Sequence, residues 1–289
     1  MGSERAEAGG PIPAEKLVEI EATAVELARL AGAEIETALG RTLTVRYKGG
    51  PGGGVSLKDP VSEVDHAVEV LIRARLAERF PGHDILGEEI EERPGRDHDV
   101  VWAVDPVDGT ANFVNGFPLF AASVGVLHRG VPVAGALWCS ASHALRPGVY
   151  HARLGGPPRF DGEPLQVRRN PAVRRHLAGE PRVPAGEERH PFEVRKTGSA
   201  AVECAFVAAG LLRVARFERP NVWDVAGGLA LVRAAGGEVR AGGPDGWAPM
   251  DRFEAVAGAG GEAADLRRWR RPLVIGEPEA VEAVCRLHG

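Results

Sequence analysis

The sequence has few cysteines and no long apolar segment. Its three cysteines, Cys139, Cys204 and Cys285, lack CxxC spacing, which indicates neither a disulfide framework nor a zinc knuckle, and we expect them to be small buried residues. The apolar runs are too short to span a bilayer, and residues 1–12 lack the apolar stretch of a signal peptide. These absences favour a cytoplasmic protein that does not contact a membrane.

An excess of basic charge is also absent. The net charge is −5, which disfavours a general nucleic-acid binder, so no nucleic-acid partner is expected. Two local basic clusters, "RRNPAVRRH" at 168–176 and "RRWRR" at 267–271, are interpreted as solvated surface, the usual state of a charge run. With 44% hydrophobic and 26% charged residues, the composition is typical of soluble globular proteins.

The chain is predicted to form a short tail followed by one compact body. Residues 1–12 are small and polar, which predicts a disordered N-terminal tail. The body is divided into an N-terminal α+β half at 13–150 and a C-terminal α/β half at 151–289. We expect the first half to carry most of the chemistry and the second to complete the site and the substrate pocket.

Hydrophobic periodicity predicts alternating helices and strands. Apolar residues recur at helical spacing from Pro13 to Leu39, which indicates a long amphipathic helix. The segment at 44–60 is rich in glycine and proline and is predicted to be a mobile loop. Ser62 can cap the next helix, which ends by Pro81. Other helices are predicted at 197–212, 221–237 and 277–287, strands at 83–89, 99–104, 213–218 and 254–258, and an antiparallel hairpin at 120–139.

Five carboxylates stand at the ends of these elements rather than in their middles. A carboxylate at the end of a strand can point into a cleft while the sheet fixes its backbone, as a metal site requires. The five are Asp65, Glu88, Asp105, Asp108 and Asp224.

The stretch "DPVDGT" at 105–110 joins two kinds of chemistry in one turn. Its proline rigidifies the backbone, so that Asp105, Asp108 and the Val107 carbonyl can face one point. Mg²⁺ prefers such oxygen ligands. Gly109 allows close approach of the backbone, and Thr110 opens a short helix whose free N–H groups favour a phosphate.

Each of these features also has a plainer interpretation when taken alone. "DPVDGT" has the composition of an ordinary strand-to-helix turn. Asp65 completes a capping box with Ser62, Glu88 with Glu89 could be a solvated pair, and Asp224 could be a charge in the first turn of a helix. One shared site explains all of them together.

The motifs "DPVSEVD" (59–65), "GEE" (87–89), "DPVDGTANF" (105–113), "GSAA" (198–201) and "WDVAGG" (223–228) resemble the inositol monophosphatase family of Mg²⁺-dependent, lithium-sensitive phosphomonoesterases. The resemblance runs from about residue 14 to 287 in the family's order. It implies an α/β fold with mixed sheets, a five-layered αβαβα sandwich of the sugar-phosphatase type. It also implies a homodimer and two to three Mg²⁺ ions in each site.

The resemblance implies roles residue by residue. Glu88, Asp105, the Val107 carbonyl and Asp108 match the first metal position, while Asp105, Asp108 and Asp224 match the second. Asp65 with Glu88 matches a third, weaker metal position and the attacking water, which Thr110 helps Glu88 to deprotonate. The Gly109 and Thr110 N–H groups would hold the phosphate. Substrate contacts are expected from Asp108, Ala200, Glu218 and Asp224, although Glu218 lies six residues before Asp224 where relatives often have seven.

The implied activity is hydrolysis of a small phosphate ester by metal-activated water. Inositol monophosphate or a related polyol or sugar phosphate is the first hypothesis for the substrate. Relatives with the same metal motifs act on fructose 1,6-bisphosphate or on 3′,5′-bisphosphate nucleotides, and a noncatalytic regulatory protein that kept the fold is a further alternative. The sequence leaves the alcohol half of the ester open.

Overall fold

The computed structural model describes residues 10–49, 55–95, 98–167, 170–182, 190–258, 260 and 262–289. Residues 1–9 of the predicted tail lie outside the described residues. The helices are α1 (Ala14–Ala38), α2 (Glu63–Arg79), α3 (Thr110–Val114), α4 (Ala200–Ala208), α5 (Val222–Ala234) and α6 (Pro278–Leu287). Within the described ranges, no helix combines the length and the apolarity that crossing a bilayer requires.

The strands follow the same chain order. They are β1 (Val45–Gly49), β2 (Val55–Ser62), β3 (Asp84–Gly87), β4 (Val100–Asp108), β5 (Ala121–His128), β6 (Val131–Cys139), β7 (Gly148–Arg153), β8 (Arg159–Phe160), β9 (Glu163–Pro164), β10 (Leu177–Gly179), β11 (Glu193–Arg195), β12 (Val214–Phe217), β13 (Glu238–Gly243), β14 (Gly246–Pro249) and β15 (Leu273–Gly276). The predicted helices at 13–39, after Ser62, and at 197–212, 221–237 and 277–287 are confirmed as α1, α2, α4, α5 and α6, within a few residues at their ends.

The larger sheet has seven strands in the order β3-β4-β5-β6-β7-β8-β9. Strands β3 and β4 run parallel, and the remaining neighbours are antiparallel. The predicted hairpin is confirmed as β5 and β6, which are joined by Arg129 (φ 52°) and Gly130 (φ 80°). Two positive φ values in a two-residue turn match the twist of the flanking strands.

The smaller sheet has six strands in the order β11-β10-β12-β15-β13-β14. It is mixed, because β10 runs parallel to β11 and β12 whereas β15 runs antiparallel to β12 and β13. The predicted strand at 213–218 is β12. The strand predicted at 254–258 is wrong. Among the described residues this segment pairs only through an isolated bridge from Val256 to Asp265, and the Val256 side chain is exposed.

Five layers stack in the order helix, sheet, helix, sheet, helix. Helices α1 and α2 cover one face of the larger sheet, and α4 and α5 lie between the two sheets. Helix α6 covers the far face of the smaller sheet, where Val274 joins its apolar cluster while the neighbouring Leu273 and Ile275 face the central core. This alternation follows from the two-residue period of a strand. The αβαβα sandwich expected from the resemblance is confirmed.

The helices differ in side-chain size according to their layer. Helix α1 is amphipathic and buries one stripe, including Ile20, Leu27 and Ile35. Helices α4 and α5 are rich in alanine, glycine and valine and are buried nearly all round, because they pack against sheets on both sides.

The predicted mobile loop at 44–60 is wrong for most of its length. Strands β1 and β2 pair antiparallel, with Val45 opposite Ser62 and Tyr47 opposite Pro60. Glycine and proline favour a turn, but they do not prevent pairing where proline occupies an edge position. Residues 50–54 of this segment lie outside the described residues.

Candidate active site

The five predicted carboxylates converge at one edge of the larger sheet. Parallel strands β3 and β4 end at this edge, which brings Glu88 next to Asp105, and the two side chains are hydrogen bonded. The Glu88 N–H donates to the Val104 carbonyl at 3.2 Å. The charge of Glu88 also acts on Asp65, on Asp108 and on Asp224, which lie on α2, β4 and α5. Acidic groups on α2, on β4, on α5 and directly after β3 are therefore close enough to act on one another.

Burial raises the pKa of each aspartate in this acidic cluster. The pKa of Asp105 is raised well above its usual value by desolvation and then by the neighbouring charges of Glu88, Asp108 and Asp224. Desolvation raises the pKa of Asp108 to about 6, and desolvation together with the charge of Asp108 raises that of Asp224 to about 8. Desolvation likewise raises the pKa of Asp65. Holding these groups ionised without a cation is therefore unfavourable.

Asp65 satisfies both of the interpretations considered for it. Its Oδ2 accepts from the Ser62 N–H at 2.9 Å and from the Ser62 hydroxyl at 2.5 Å, which completes the capping box at the start of α2. Its Oδ1 accepts from the Thr110 hydroxyl at 3.0 Å. The side chain is fully buried. A helix cap therefore also holds a carboxylate in the acidic cluster.

The end of β4 forms the turn that the sequence indicated. Asp105 Oδ1 accepts from the Val107 N–H at 3.1 Å, and Thr110 Oγ1 lies 2.8 Å from the Val107 carbonyl oxygen. Gly109 caps α3 with φ 87°, a left-handed conformation that favours glycine. A Cβ there would also lie only 3.2 Å from the carbonyl oxygens of Gly198 and Leu119. A side chain at position 109 would therefore be both strained and crowded by neighbouring backbone.

Asp108 is held by the "GSAA" motif at 198–201. The Ser199 hydroxyl donates to Asp108 Oδ2, and the Ala201 N–H donates to the same oxygen at 2.7 Å. The Ala200 N–H adds a further hydrogen bond. Ser199 also caps α4 by accepting from the Val202 N–H. The start of α4 therefore fixes a carboxylate of the acidic cluster.

Asp224 lies in the first turn of α5, as expected for a helix-capping charge. Its Oδ2 accepts from the Asn221 N–H at 2.8 Å, and the Asn221 amide nitrogen lies 3.1 Å from both carboxylate oxygens. The side chain is half-buried. Like Asp65, this residue caps a helix and still takes part in the acidic cluster.

A family model described as "Inositol monophosphatase family" matches residues 16–270. The chain belongs to the inositol monophosphatase family. It is accordingly a phosphatase, a phosphoric monoester hydrolase. The motifs that suggested the resemblance fall inside the matched range.

Named relatives and a solved structure agree with this family membership. The chain is 34% identical to "Inositol-1-monophosphatase ImpA" of Mycolicibacterium smegmatis, over 80% of this chain and 84% of that protein. It is 33% identical to "Phosphatase IMPL1, chloroplastic" of Arabidopsis thaliana over 80% of its own length, and spans 63% of that longer protein. The structure of a Thermotoga maritima IMPase superposes with a TM-score of 0.69 at 25% identity, covering 93% of this chain and 98% of that one.

Glu218, the remaining predicted substrate contact, pairs with two arginines and not with the acidic cluster. Arg216 Nη2 lies 3.5 Å from its Oε1, and Arg182 Nη2 lies 3.3 Å from its Oε2. Its side chain is 38% exposed. A substrate contact from Glu218 stays a prediction, and a substrate hydroxyl would have to share the carboxylate with two arginines.

A second group of potential metal ligands lies away from the acidic cluster. Atoms of Glu180, His190 and His288 come within 4.8 Å of one another. Arg216 Nε already donates to Glu180 Oε2 at 3.2 Å, and His190 Nε2 lies 3.0 Å from Glu180 Oε1. Because the guanidinium neutralises this buried carboxylate, we interpret the group as an ion-pair network.

One of the two basic clusters was interpreted wrongly. At 170–175 the first cluster is exposed, as expected, while residues 168 and 169 lie outside the described residues. In "RRWRR", however, Arg267 and Arg270 are half-buried and both stack on the ring of Trp223. The tryptophan within this run was the available signal, since Trp269 is itself buried and draws the segment onto the core.

Proposed function

We propose that this phosphatase is Mg²⁺-dependent and hydrolyses inositol monophosphate or a related small polyol or sugar phosphate. The observation that carries the proposal is the convergence of Glu88 with four buried or half-buried aspartates at the start of α3. The names of the curated relatives support inositol monophosphate as the first substrate to test.

The donor set fits Mg²⁺. Its side-chain donors are carboxylate oxygens, the ligands that this hard cation prefers, and the Val107 carbonyl adds an oxygen from the backbone. The raised pKa values of Asp105, Asp108 and Asp224 indicate that the cluster lacks enough positive charge from the protein. Divalent cations would compensate this charge.

The proposed ligand sets divide the acidic cluster. Glu88, Asp105, Asp108 and the Val107 carbonyl would hold one ion, and Asp105, Asp108 and Asp224 a second, with Asp65 and Glu88 available for a weaker third. When bound, the ions would supply positive charge that polarises the phosphate and makes water more acidic. The lithium sensitivity and the homodimer implied by the family resemblance remain predictions for this chain.

The protein's own groups would orient the attacking water and the phosphate. The Thr110 hydroxyl donates its one proton to Asp65 or to the Val107 carbonyl, and its oxygen would accept a hydrogen bond from water through a lone pair. The Glu88 carboxylate would take the proton. The N–H groups of Gly109 and Thr110 begin α3, where they have no partner within the helix, and would donate to phosphate oxygens.

The alcohol half of the substrate would lie against Asp108, Ala200, Asp224 and Glu218. Of these, Glu218 differs most from the family pattern, because its carboxylate pairs with Arg182 and Arg216. We therefore propose that Glu218 influences which ester is preferred and not whether hydrolysis occurs.

A phosphate-release screen tests the proposal. The purified protein is assayed on inositol 1-phosphate, fructose 1,6-bisphosphate and 3′-phosphoadenosine 5′-phosphate, with Mg²⁺ and with EDTA. We expect Mg²⁺-dependent release that is fastest on inositol 1-phosphate. Asp105→Asn should lower kcat more than about 100-fold, the upper end of what loss of an outer-shell partner of a metal costs.

Asp99→Asn is the matched control for this screen. Asp99 directly precedes the same strand, β4, but at the opposite end from the site, and its carboxylate pairs with Arg129 at 2.8 Å on the surface. This variant should retain wild-type turnover. Wild-type protein that releases no phosphate from any ester in Mg²⁺ would contradict the proposal and favour the noncatalytic alternative.

A further inference from the structure

The loop at 87–92, which carries Glu88, continues beyond the end of strand β3. Strand β3 ends at Gly87, and the Glu88 N–H to the Val104 carbonyl is the last backbone bond of this ladder. Beyond it, the positions of the loop N–H and carbonyl groups depend on side chains from elsewhere. These side chains bind the loop on two sides.

Glu69 of α2 binds the N–H side of the loop. Its fully buried carboxylate accepts from the Glu89 N–H at 2.6 Å and from the Ile90 N–H at 3.2 Å. Arg73, one turn later on α2, donates to Glu69 Oε1 at 2.7 Å and to the Ile90 carbonyl at 2.8 Å. Hydrogen bonds to charged groups are stronger than neutral ones, so these two side chains firmly hold the Glu89 and Ile90 N–H groups and one side of the Ile90 carbonyl.

Arg267 binds the carbonyl side of the loop. Its Nη2 donates to the Gly87 carbonyl at 2.5 Å and to the Ile90 carbonyl at 2.9 Å, and its Nη1 donates to the Glu88 carbonyl at 3.5 Å. One guanidinium thus donates to the backbone of Glu88, the predicted metal ligand, and to backbone carbonyls before and after it. A planar fork with several N–H groups is required for this arrangement.

The same guanidinium also contacts the helix that carries Asp224. The Cζ of Arg267 lies 5.1 Å from the centroid of the Trp223 ring, and Trp223 directly precedes Asp224 in the first turn of α5. Arg267 is itself held in place. Its backbone N–H donates to Asp265 Oδ1 at 2.9 Å, and Arg93 bridges Asp265 to Asp84 on β3.

We infer that Arg267 is a positioning residue of the proposed metal site. It sets the separation between the loop at 87–92, which carries Glu88, and the first turn of α5, which carries Asp224. The inference rests on the proposed function. The contacts of the Arg267 guanidinium are with backbone carbonyls of the loop and with the Trp223 ring. It acts through the Glu88 backbone and the Trp223 ring, and its loss should weaken Mg²⁺ binding more than it weakens the fold.

The test measures Mg²⁺ binding directly by titration calorimetry and, separately, the Mg²⁺ dependence of phosphate release. Arg267→Gln should raise both the Kd for Mg²⁺ and the Mg²⁺ concentration at half-maximal rate about 10–100-fold, the usual effect of losing an outer-shell partner. At saturating Mg²⁺ its kcat should return to within a few-fold of wild type. Its Tm in EDTA should stay close to that of the wild type.

Arg268→Gln is the matched control. Arg268 is the next residue of the short 3₁₀ helix Leu266–Arg268, which also contains Arg267. Arg268→Gln removes the same charge, and the partners described for Arg268 are the surface residues Glu262 and Ala263. Its Mg²⁺ affinity should equal that of the wild type. Arg267→Lys keeps the charge but lacks the planar guanidinium, so its Kd for Mg²⁺ should lie between those of Arg267→Gln and the wild type. It provides a second variant if Arg267→Gln does not fold.

Three outcomes separate this inference from the proposed function. If the wild type does not bind Mg²⁺, the proposed function fails, and the positioning role fails with it. If the wild type binds Mg²⁺ and Asp105→Asn does not, but Arg267→Gln and Arg267→Lys bind like the wild type, only the positioning role is overturned. A lower Tm for both Arg267 variants with unchanged Mg²⁺ affinity would also overturn it, because Arg267 would then serve the fold alone.

Discussion

At the scale of single residues, the acidic cluster buries carboxylates whose ionised form is unfavourable for folding. Asp108 and Asp224 each accept hydrogen bonds that favour the ionised form, from Ser199 and Ala201 and from Asn221. Burial and mutual repulsion nevertheless raise the pKa values of both aspartates. The hydrogen bonds therefore orient the carboxylates without making their charge favourable, and a bound cation would relieve the difference.

We predict that the metal-free protein loses stability as the pH rises. The folded-state pKa values of Asp108 and Asp224 are about 6 and about 8, above the ordinary aspartate value of 3.8. At these two groups the folded state therefore binds more protons than the unfolded state between about pH 4 and 8, so their contribution to the free energy of unfolding falls as the pH increases through this window. Thermal unfolding in EDTA should show a decreasing Tm.

Mg²⁺ and Asp224→Asn provide the controls for this pH dependence. Saturating Mg²⁺ should raise the Tm more at pH 8 than at pH 5, because it compensates charges that exist only at the higher pH. Asp224→Asn should raise the Tm in EDTA at pH 8 by at least about 2 °C, the shift that about 1 kcal/mol produces in a protein of this size. A Tm in EDTA that rises from pH 5 to pH 8 would contradict the pKa values.

The sequence predicted which acidic residues gather but not what holds them. Asp65 and Asp224 were visible because capping residues mark the ends of helices, and Asp105 with Asp108 because a buried strand leads into a turn. Glu69 and Arg267 were not visible, since their partners are backbone N–H and carbonyl groups. A residue that binds backbone groups leaves no pattern of matching side chains in the sequence.

At the scale of elements, the position of α5 depends on three glycines. Gly125 and Gly135 are opposite each other on β5 and β6, and both face Gly227 of α5. A Cβ on Gly135 would lie 2.2 Å from the Gly227 carbonyl oxygen, and one on Gly125 would lie 2.4 Å from the Gly227 nitrogen. Because backbone atoms cannot yield, the helix approaches the sheet only where side chains are absent.

We predict that Gly135→Ala destabilises the protein and weakens catalysis together. Overpacking should cost about 1–3 kcal/mol, and the displaced α5 would move Asp224 away from the other carboxylates. Thermal unfolding and Mg²⁺-dependent phosphate release measure the two effects. Gly82→Ala is the matched control, because a Cβ at Gly82 meets no atom within 4 Å and should change neither quantity. An unchanged Tm for Gly135→Ala would contradict this account of the packing.

Elements with a strong period were predicted well, and short strands poorly. The stripe of α1 spans seven turns, so its helical period is unambiguous. The pair β1 and β2 was predicted as a loop because the prediction considered the glycines and prolines of the segment but not the pairing of its two ends with each other. The three-residue strands β10 and β11 are too short to show any period, and only the sheet that they join defines them.

At the scale of the whole molecule, the five layers bring distant parts of the chain to one edge. Helix α2 and strands β3 and β4 supply four carboxylates, and α5, more than 100 residues later, supplies the fifth from the layer between the sheets. The acidic cluster thus draws on two layers, and the proposed metal site would use residues from both predicted halves of the chain. The division of the chain at residue 150 stays a prediction, while the layer order follows from the resemblance and is confirmed.

The most direct measurement of the central claim is anomalous diffraction from crystals soaked in Mn²⁺, a stand-in for Mg²⁺. We predict anomalous peaks among the carboxylate oxygens of Glu88, Asp105, Asp108 and Asp224, at about 2.1 Å from them, the Mg²⁺–oxygen distance. The peaks should be absent from Asp105→Asn or weaker there. Peaks confined to the Glu180, His190 and His288 group, or none near the acidic cluster at saturating Mn²⁺, would contradict it.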